Sequence, residues 1–125
     1  MSIDPAVIQH LHAAPDGTAH FDSIELPLSA VDFAPPAPKI FVSAPTSNAQ
    51  HVFLRVPVGW HGDLHPAPAR QLMTMVRGKL EVTLANGVSR VFSAGDVALV
   101  EDTHGSGHAT SSIGDEDAFI SVVQF

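Results

Sequence analysis

Ten prolines and nine glycines are spread along the 125 residues, and they limit what the chain can form more than any other feature. Both residue types interrupt helices and central strands, so the segments between them must be short. Most of these segments are rich in Val, Ile, Phe, Leu and Thr, which favour strands. The pattern predicts an all-β fold with strands at 20–28, 39–43, 51–58, 70–77, 79–84, 89–92, 97–101 and 118–125.

Asn86 and Gly87 give the strongest turn signal in the sequence, and they lie between Leu84 and Val88. Both residue types tolerate the positive φ angles that a type I′ turn requires. We therefore predict a two-residue hairpin turn at this point.

Two segments depart from the strand pattern. Pro35, Pro36 and Pro38 predict an extended connector, because proline suits neither a helix interior nor a central strand. Residues 4–12 could form a short helix, with Asp4 as its N-cap and Pro5 in its first turn.

The composition argues against several classes of protein. A chain of 125 residues can bury one core, so we expect a single domain. No apolar run approaches the ~18 residues that cross a bilayer, and residues 1–14 lack the pattern of a signal peptide. We therefore expect a cytoplasmic protein with no membrane contact. The formal charge of −7, with scattered basic residues, also disfavours nucleic acid as a partner.

Possible metal ligands form two clusters. His61, Asp63 and His65 alternate along strand-like sequence, where alternate side chains share a face, and Gln71 follows them. The second cluster contains His104 and His108. Cysteine is absent, so nitrogen and oxygen atoms would have to hold any metal. Turns between the clusters could bring separate strands, and hence both clusters, to one interior.

The same residues form two spaced motifs. In the first, Asp63-Leu64-His65 precedes Gln71, and six residues separate Gln71 from Gly78. In the second, Gly95 precedes five residues, then Glu101-Asp102-Thr103, and His108 follows. This frame resembles the two motifs of the cupin superfamily, in which a His-x-His pair and a Glu usually stand where this chain has Asp63, His65 and Gln71.

Segments 16–21, 63–71, 95–103 and 105–108 are similar to a group of small RmlC-like, single-domain cupins. The resemblance implies a double-stranded β-helix, or jelly-roll, barrel. Residues 1–38 would form an N-terminal arm and the first strand, and residues 39–125 the barrel with both motifs. It also implies a homodimer, for which exchange of the N-terminal arm is one route. It does not fix an activity, since cupins include dioxygenases, isomerases and non-catalytic proteins.

The motif frame singles out His65, His108, Gln71, Asp63 and His61 as candidate ligands of a divalent metal. Two imidazoles and one carboxylate would suit Fe, Mn, Ni or Zn. Three alternatives stay open. Gln71 could be a hydrogen-bonded interior amide, Asp63 could orient a neighbouring histidine, and His61 and His104 could lie at the surface.

A second set of residues could form the wall of a ligand pocket. Met73 and Met75 share the parity of Gln71, although both could also be ordinary core residues. Trp60 could close the end of the barrel or stack on a ligand, and Glu101 could face the pocket, whereas Asp102 suggests turn chemistry.

Two functions are compatible with these residues. The first is a metal-dependent enzyme, of the dioxygenase or isomerase type, that acts on a small organic substrate. The second is a non-catalytic barrel that binds or senses a carboxylate or carbonyl compound without a metal. Gln71 keeps the second open, because a neutral amide attracts a cation less than the usual Glu does and cannot act as a general base.

Overall fold

The computed structural model describes residues 4–47 and 49–125, and within these ranges the regular elements are all strands. A six-stranded sheet has the order β2-β1-β10-β7-β12-β5, and a four-stranded sheet has the order β6-β11-β8-β9. A separate hairpin joins β3 to β4. The strands are β1 Ala6–Ala13, β2 Ala19–Leu26, β3 Leu28–Val31, β4 Ile40–Ser43, β5 Gln50–Val56, β6 His61–His65, β7 Gln71–Arg77, β8 Lys79–Leu84, β9 Ser89–Ser93, β10 Val97–Glu101, β11 His108–Ile113 and β12 Ala118–Gln124.

The two larger sheets enclose the core between their inner faces. Alternate residues of β10, β7 and β12 point inward, as the two-residue period of a strand requires. Leu80, Val82 and Phe92 of the four-stranded sheet belong to the same buried cluster as Val100 and Ile120 of the six-stranded sheet. The predicted all-β jelly-roll architecture is thus confirmed.

The predicted strands are confirmed with small differences at their ends, apart from the one predicted at 20–28. That strand ends at Leu26, and Leu28 begins β3 in a different sheet. Pro27 between them has no N–H group for a continuing ladder, which accounts for the break.

The helix predicted at 4–12 is wrong, because residues 6–13 form strand β1. This segment pairs in parallel with β10 and in antiparallel with β2. Its inner face places Leu11 in the core. Tertiary pairing on both edges therefore overrides a helix signal that rested only on capping residues.

The turn at Asn86 is a hairpin loop, but not the predicted type I′ turn. Leu84 N–H donates to the Val88 carbonyl at 2.8 Å, and Gly87 N–H donates to the Leu84 carbonyl at 2.9 Å. These bonds close a three-residue loop in which Gly87 has φ 88°. The Asn86 side chain accepts a bond from Val88 N–H at 3.0 Å, which also stabilises the loop.

The β3–β4 hairpin and the neighbouring edge strand β5 expose apolar side chains. Phe33 is 67% exposed and Phe41 is 55% exposed, and β5 pairs only with β12 among the described strands. An isolated two-stranded hairpin is at best marginally stable in water.

In the described residues no helix has the length and apolar character needed to cross a bilayer.

Gly78 joins β7 to β8 at a point where the backbone of another strand lies very close. It has φ 74°, and a Cβ atom added to it would lie 2.6 Å from the Cα atom of Ala118. Ala118 is fully buried at the start of β12. The glycine of the first motif is therefore a packing requirement of the barrel.

We expect Gly78→Ala to lower the free energy of unfolding by at least ~2 kcal/mol, from left-handed strain plus overpacking against Ala118. Gly87→Ala is the matched control, since Gly87 also has a positive φ but a Cβ there would meet nothing within 4 Å. It should cost only about 1 kcal/mol. Equal losses in chemical denaturation would contradict the packing argument.

Candidate functional site

A cavity of about 310 Å³ lies between the two sheets. Its wall is mostly apolar and includes Leu80, Val82, Phe92, Val100 and Ile120. The polar side chains in the lining are those of His65, Gln71, His108, Thr110 and Gln124. An apolar cavity with a few convergent polar groups is the usual form of a small-molecule site.

His108, at the start of β11, is held by a buried carboxylate. Its Nδ1 atom donates to Asp102 Oδ2 at 2.5 Å, and Asp102 is 0% exposed. The other carboxylate oxygen, Oδ1, is buried without a hydrogen-bond partner in the structure. The Asp102 bond fixes the orientation of the ring and places the proton on Nδ1, so Nε2 is the atom free to meet a ligand.

His65, at the end of β6, is arranged in the same way from the opposite strand. Its Nδ1 atom donates to the Pro66 carbonyl at 2.7 Å, which again leaves Nε2 free. The centres of the His65 and His108 rings are 5.4 Å apart, and the two residues are paired across β6 and β11. His65 is exposed and His108 is largely buried, so the pair extends from the rim of the cavity toward its interior.

Gln71 and Gln124 add polar groups to the cavity from the six-stranded sheet. Together with His65, His108 and Thr110 they are called the polar patch below. The two glutamines face each other across β7 and β12, and Gln124 Nε2 donates to Gln71 Oε1 at 3.1 Å. Gln71 therefore is a hydrogen-bonded interior amide, one of the two roles predicted for it. Its own amide N–H groups stay available to a ligand.

A bulge in β6 separates His65 from the two candidate ligands that precede it. His65 pairs with His108, but Gly62 pairs with Thr110, so three steps along β6 match two steps along β11. The extra residue reverses the alternation of side chains. The prediction that His61, Asp63 and His65 share a face is therefore wrong.

His61 and Asp63 accordingly lie outside the cavity. The His61 ring contacts Ser111 Oγ at 2.8 Å through Nδ1 and Asp63 Oδ1 at 3.2 Å through Nε2. The Asp63 side chain is 99% exposed. Asp63 does orient a histidine, but that histidine is His61 at the surface.

His104 also lies away from the polar patch. Its Nε2 atom contacts the Ala14 carbonyl at 3.3 Å, on the loop between β1 and β2. The alternative in which His104 is a surface residue therefore describes its position.

The donors that remain do not suit a firmly held divalent cation. In residues 4–47 and 49–125, no three His, Asp or Glu side chains are arranged to hold a metal. The cavity offers two imidazole nitrogens and the neutral carbonyl of Gln71, which already accepts a bond from Gln124. The non-haem iron triad needs a carboxylate beside two histidines, and none lines this cavity.

The predicted pocket residues divide into two groups. Met73 and Trp60 line the cavity. Met75 is 1% exposed, belongs to the core cluster and is not among the residues that line the cavity. The alternative that the two methionines are ordinary core residues therefore describes Met75 but not Met73.

Glu101 does not face the pocket, contrary to the prediction. It follows the inward-facing Val100 and lies on the outer side of β10, where its carboxylate meets Arg70 Nε at 2.7 Å and His10 Nε2 at 2.8 Å. Burial raises the pKa of the Glu101 carboxyl, but the hydrogen bonds from Arg70 and His10 outweigh this effect, so the pKa lies below its usual value.

We expect Arg70→Gln to lower the free energy of unfolding by less than ~1 kcal/mol at neutral pH, because this pair is partly exposed. A carboxyl with a depressed pKa stabilises the fold above its unfolded pKa, and this contribution is lost as the pH falls through the folded value. The difference from wild type should therefore disappear in acid. A difference that persists there, or that survives in a Glu101→Gln background, would contradict this account.

The sequence patterns do not identify three residues of the site. The sequence suggests turn chemistry for Asp102, yet its buried carboxylate holds His108. Neither motif marks Thr110 or Gln124, although both line the cavity. Parity offered a signal for Thr110, which lies two residues after His108 on the same strand. We find no signal in the sequence that marks Gln124.

Comparisons with known proteins identify the architecture. No protein-family model and no curated protein matches the chain. Among solved structures, a Cupin 2 conserved barrel domain protein from Salinispora arenicola superposes with a TM-score of 0.52 at 20% identity, over 80% of this chain and 75% of that one. The fold is a cupin barrel.

Other structural neighbours are similar at lower TM-scores. An uncharacterised conserved protein from Klebsiella pneumoniae with a double-stranded β-helix domain is 27% identical, with a TM-score of 0.49, over 76% of this chain and 83% of that one. A protein from Shewanella frigidimarina that contains a cupin-2 domain has a TM-score of 0.48 at 16% identity, over 65% and 74% of the two chains. The superposition on the Salinispora arenicola structure confirms, at the level of the fold, the resemblance drawn from the two motifs.

Proposed function

We propose that this cupin barrel binds a small molecule with an apolar body and a carboxyl or carbonyl head, without a metal ion. The observation that carries the proposal is the division of the cavity wall. Apolar side chains form most of it, and the imidazoles of His65 and His108 and the amide of Gln71 line the same cavity. Such a wall suits a ligand that is polar at one end.

The hydrogen-bonding groups of the patch complement an oxygen-bearing head. The Nε2 atoms of His65 and His108 are free because both Nδ1 atoms are bonded. Gln71 retains its amide donors, and the Thr110 hydroxyl can donate or accept. Buried polar groups of this kind gain from a partner that satisfies them. A carboxyl or carbonyl group could bond to several of them at once.

The alternative, a metal-dependent dioxygenase or isomerase, has weaker support. His65 and His108 both line the cavity, but the carboxylates that lie nearest to them in the motifs, Asp63 and Asp102, do not. Asp63 is outside the cavity, and Asp102 is engaged with the far side of the His108 ring. The donor set is thus better suited to hydrogen bonding with an organic ligand than to coordination.

Isothermal titration with octanoate tests the proposal, because this probe combines an unbranched apolar body with one carboxylate. We expect measurable binding by the wild type and an affinity lower by about tenfold or more in His108→Ala, since lost hydrogen bonds of this kind cost ~1–3 kcal/mol. His65→Ala should weaken binding in the same direction. His61→Ala is the matched control on the same strand, and it should bind as the wild type does.

Two outcomes would contradict the proposal. One is octanoate binding that is absent from the wild type, or that all three variants share unchanged. The other is near-stoichiometric metal in protein purified without an affinity tag, lost in His65→Ala and His108→Ala, which would support the metal-dependent enzyme. We expect elemental analysis to find metal well below one atom per chain.

The homodimer stays a prediction, and the exposed apolar side chains of the β3–β4 hairpin and of β5 support it. A second copy that covered them would remove exposed Phe33, Phe41 and Phe53 from water. We expect light scattering at micromolar concentration to give about twice the chain mass of 13.2 kDa. A mass equal to that of one chain would exclude the dimer.

A further inference from the structure

The connection between β5 and β6 crosses from one sheet of the barrel to the other. β5 is an edge strand of the six-stranded sheet, and β6 is an edge strand of the four-stranded sheet. Among the described strands, neither pairs with anything on its free side. The cavity wall here includes Leu54 of β5, which is 44% exposed, and His65 of β6. The cavity is therefore open to solvent along this side of the barrel.

The turn that makes this crossing fixes the backbone of Trp60. Trp60 N–H donates to the Pro57 carbonyl at 3.1 Å, and Gly59 within the turn has φ 79°. The Trp60 carbonyl accepts a bond from Ser112 N–H of β11 at 2.9 Å. Val58 N–H donates to Asp117 Oδ1 at 3.0 Å. Bonds to two other parts of the chain thus hold the backbone that carries the indole at this side of the barrel.

The indole lies on Gly62, where any larger residue would place a side chain. Gly62 pairs with Thr110, which lines the cavity, so this position of β6 faces inward. A Cβ atom on Gly62 would lie 2.7 Å from Trp60 Cη2 and 3.2 Å from Cζ3. The missing side chain is therefore what gives the indole its place in the cavity wall.

We propose that Trp60, seated on Gly62, partly covers the open side of the cavity and determines the length of the ligand that the cavity accepts. This inference rests on the proposed ligand-binding function. Trp60 lines the cavity and is 43% exposed, so one side of the indole borders the ligand space and the rest borders solvent. A ligand whose body is too long to stay behind the indole would have to displace it.

Gly62→Ala changes the position of the indole without removing the indole. Gly62 is not among the glycines with positive φ, and its close contacts are with the far end of the Trp60 side chain. The added methyl group can therefore push the indole outward without straining the backbone. Trp60→Ala removes the indole altogether. Trp60 is the one tryptophan of the sequence, so its fluorescence reports its own environment.

The test measures the affinities of hexanoate and dodecanoate, the latter below its micelle concentration, for wild type, Gly62→Ala and Trp60→Ala. We expect the preference for hexanoate over dodecanoate, taken as the ratio of the two affinities, to fall by about tenfold in Trp60→Ala, which corresponds to ~1.4 kcal/mol. Gly62→Ala should shift the ratio in the same direction and move the Trp60 emission to longer wavelength. Leu64→Ala, an exposed position on β6, should leave the ratio unchanged.

The outcomes separate this inference from the proposed function. If the wild type binds both acids and the ratio is the same in Gly62→Ala and Trp60→Ala, the role of Trp60 is refuted while ligand binding stands. If the wild type binds neither acid, the proposed function fails, and this inference fails with it. A lower melting temperature with an unchanged ratio would show that Trp60 contributes only to stability, which also refutes the proposal.

Discussion

Strand β11 is paired on both sides, with β8 and with β6, and the candidate site depends on this double pairing. His108 and Thr110 project from β11 into the cavity, and His65 reaches the same place because it pairs with His108. The backbone of Ser112, further along β11, bonds to Trp60. A strand with a partner on each edge cannot shift its register by one residue without turning its buried face outward. The pairing of β11 therefore fixes the positions of His65, His108 and Thr110 relative to one another.

The bulge opposite β11 determines which side chains share the cavity. Without the extra residue of β6, the alternation of a regular strand would place Asp63 beside His65, and two imidazoles and a carboxylate would face one another. With it, Gly62 faces inward and Asp63 faces solvent. The extra residue of β6 thus turns Gly62 toward the cavity in place of Asp63, a possible metal ligand. The same replacement makes the space that Trp60 occupies.

Much of the fold could be predicted from the sequence, because it follows from local patterns. Proline and glycine spacing, together with β-branched residues between them, located most of the strands. The motif frame also predicts His65, Gln71 and His108 in one site, and all three line the same cavity. The incorrect predictions have physical causes that local sequence patterns do not reveal. Strand β1 depends on partners distant in sequence, and the bulge in β6 depends on its register against β11. Parity arguments assume uninterrupted strands, so they fail wherever a bulge intervenes.

Asp102 shows why the electrostatics of the site are harder to predict from the sequence than the place of the site in the fold. In sequence it stands beside Glu101, and both could be read as an acidic pair at the end of a strand. In the structure their environments are opposite. Glu101 is on the outer side with Arg70 and His10, whereas Asp102 is fully buried against His108.

A buried carboxylate is costly unless its partners compensate for the lost water. Only one of the two oxygens of Asp102 has such a partner in the described structure. An Asn at this position would avoid burying a charge, and a Leu would avoid burying polar atoms. A carboxylate accepts the Nδ1 proton of His108 in a stronger hydrogen bond than a neutral amide oxygen would, and a Leu could not accept it at all. The cost of burying Asp102 is thus best explained by the control of His108 at the cavity wall.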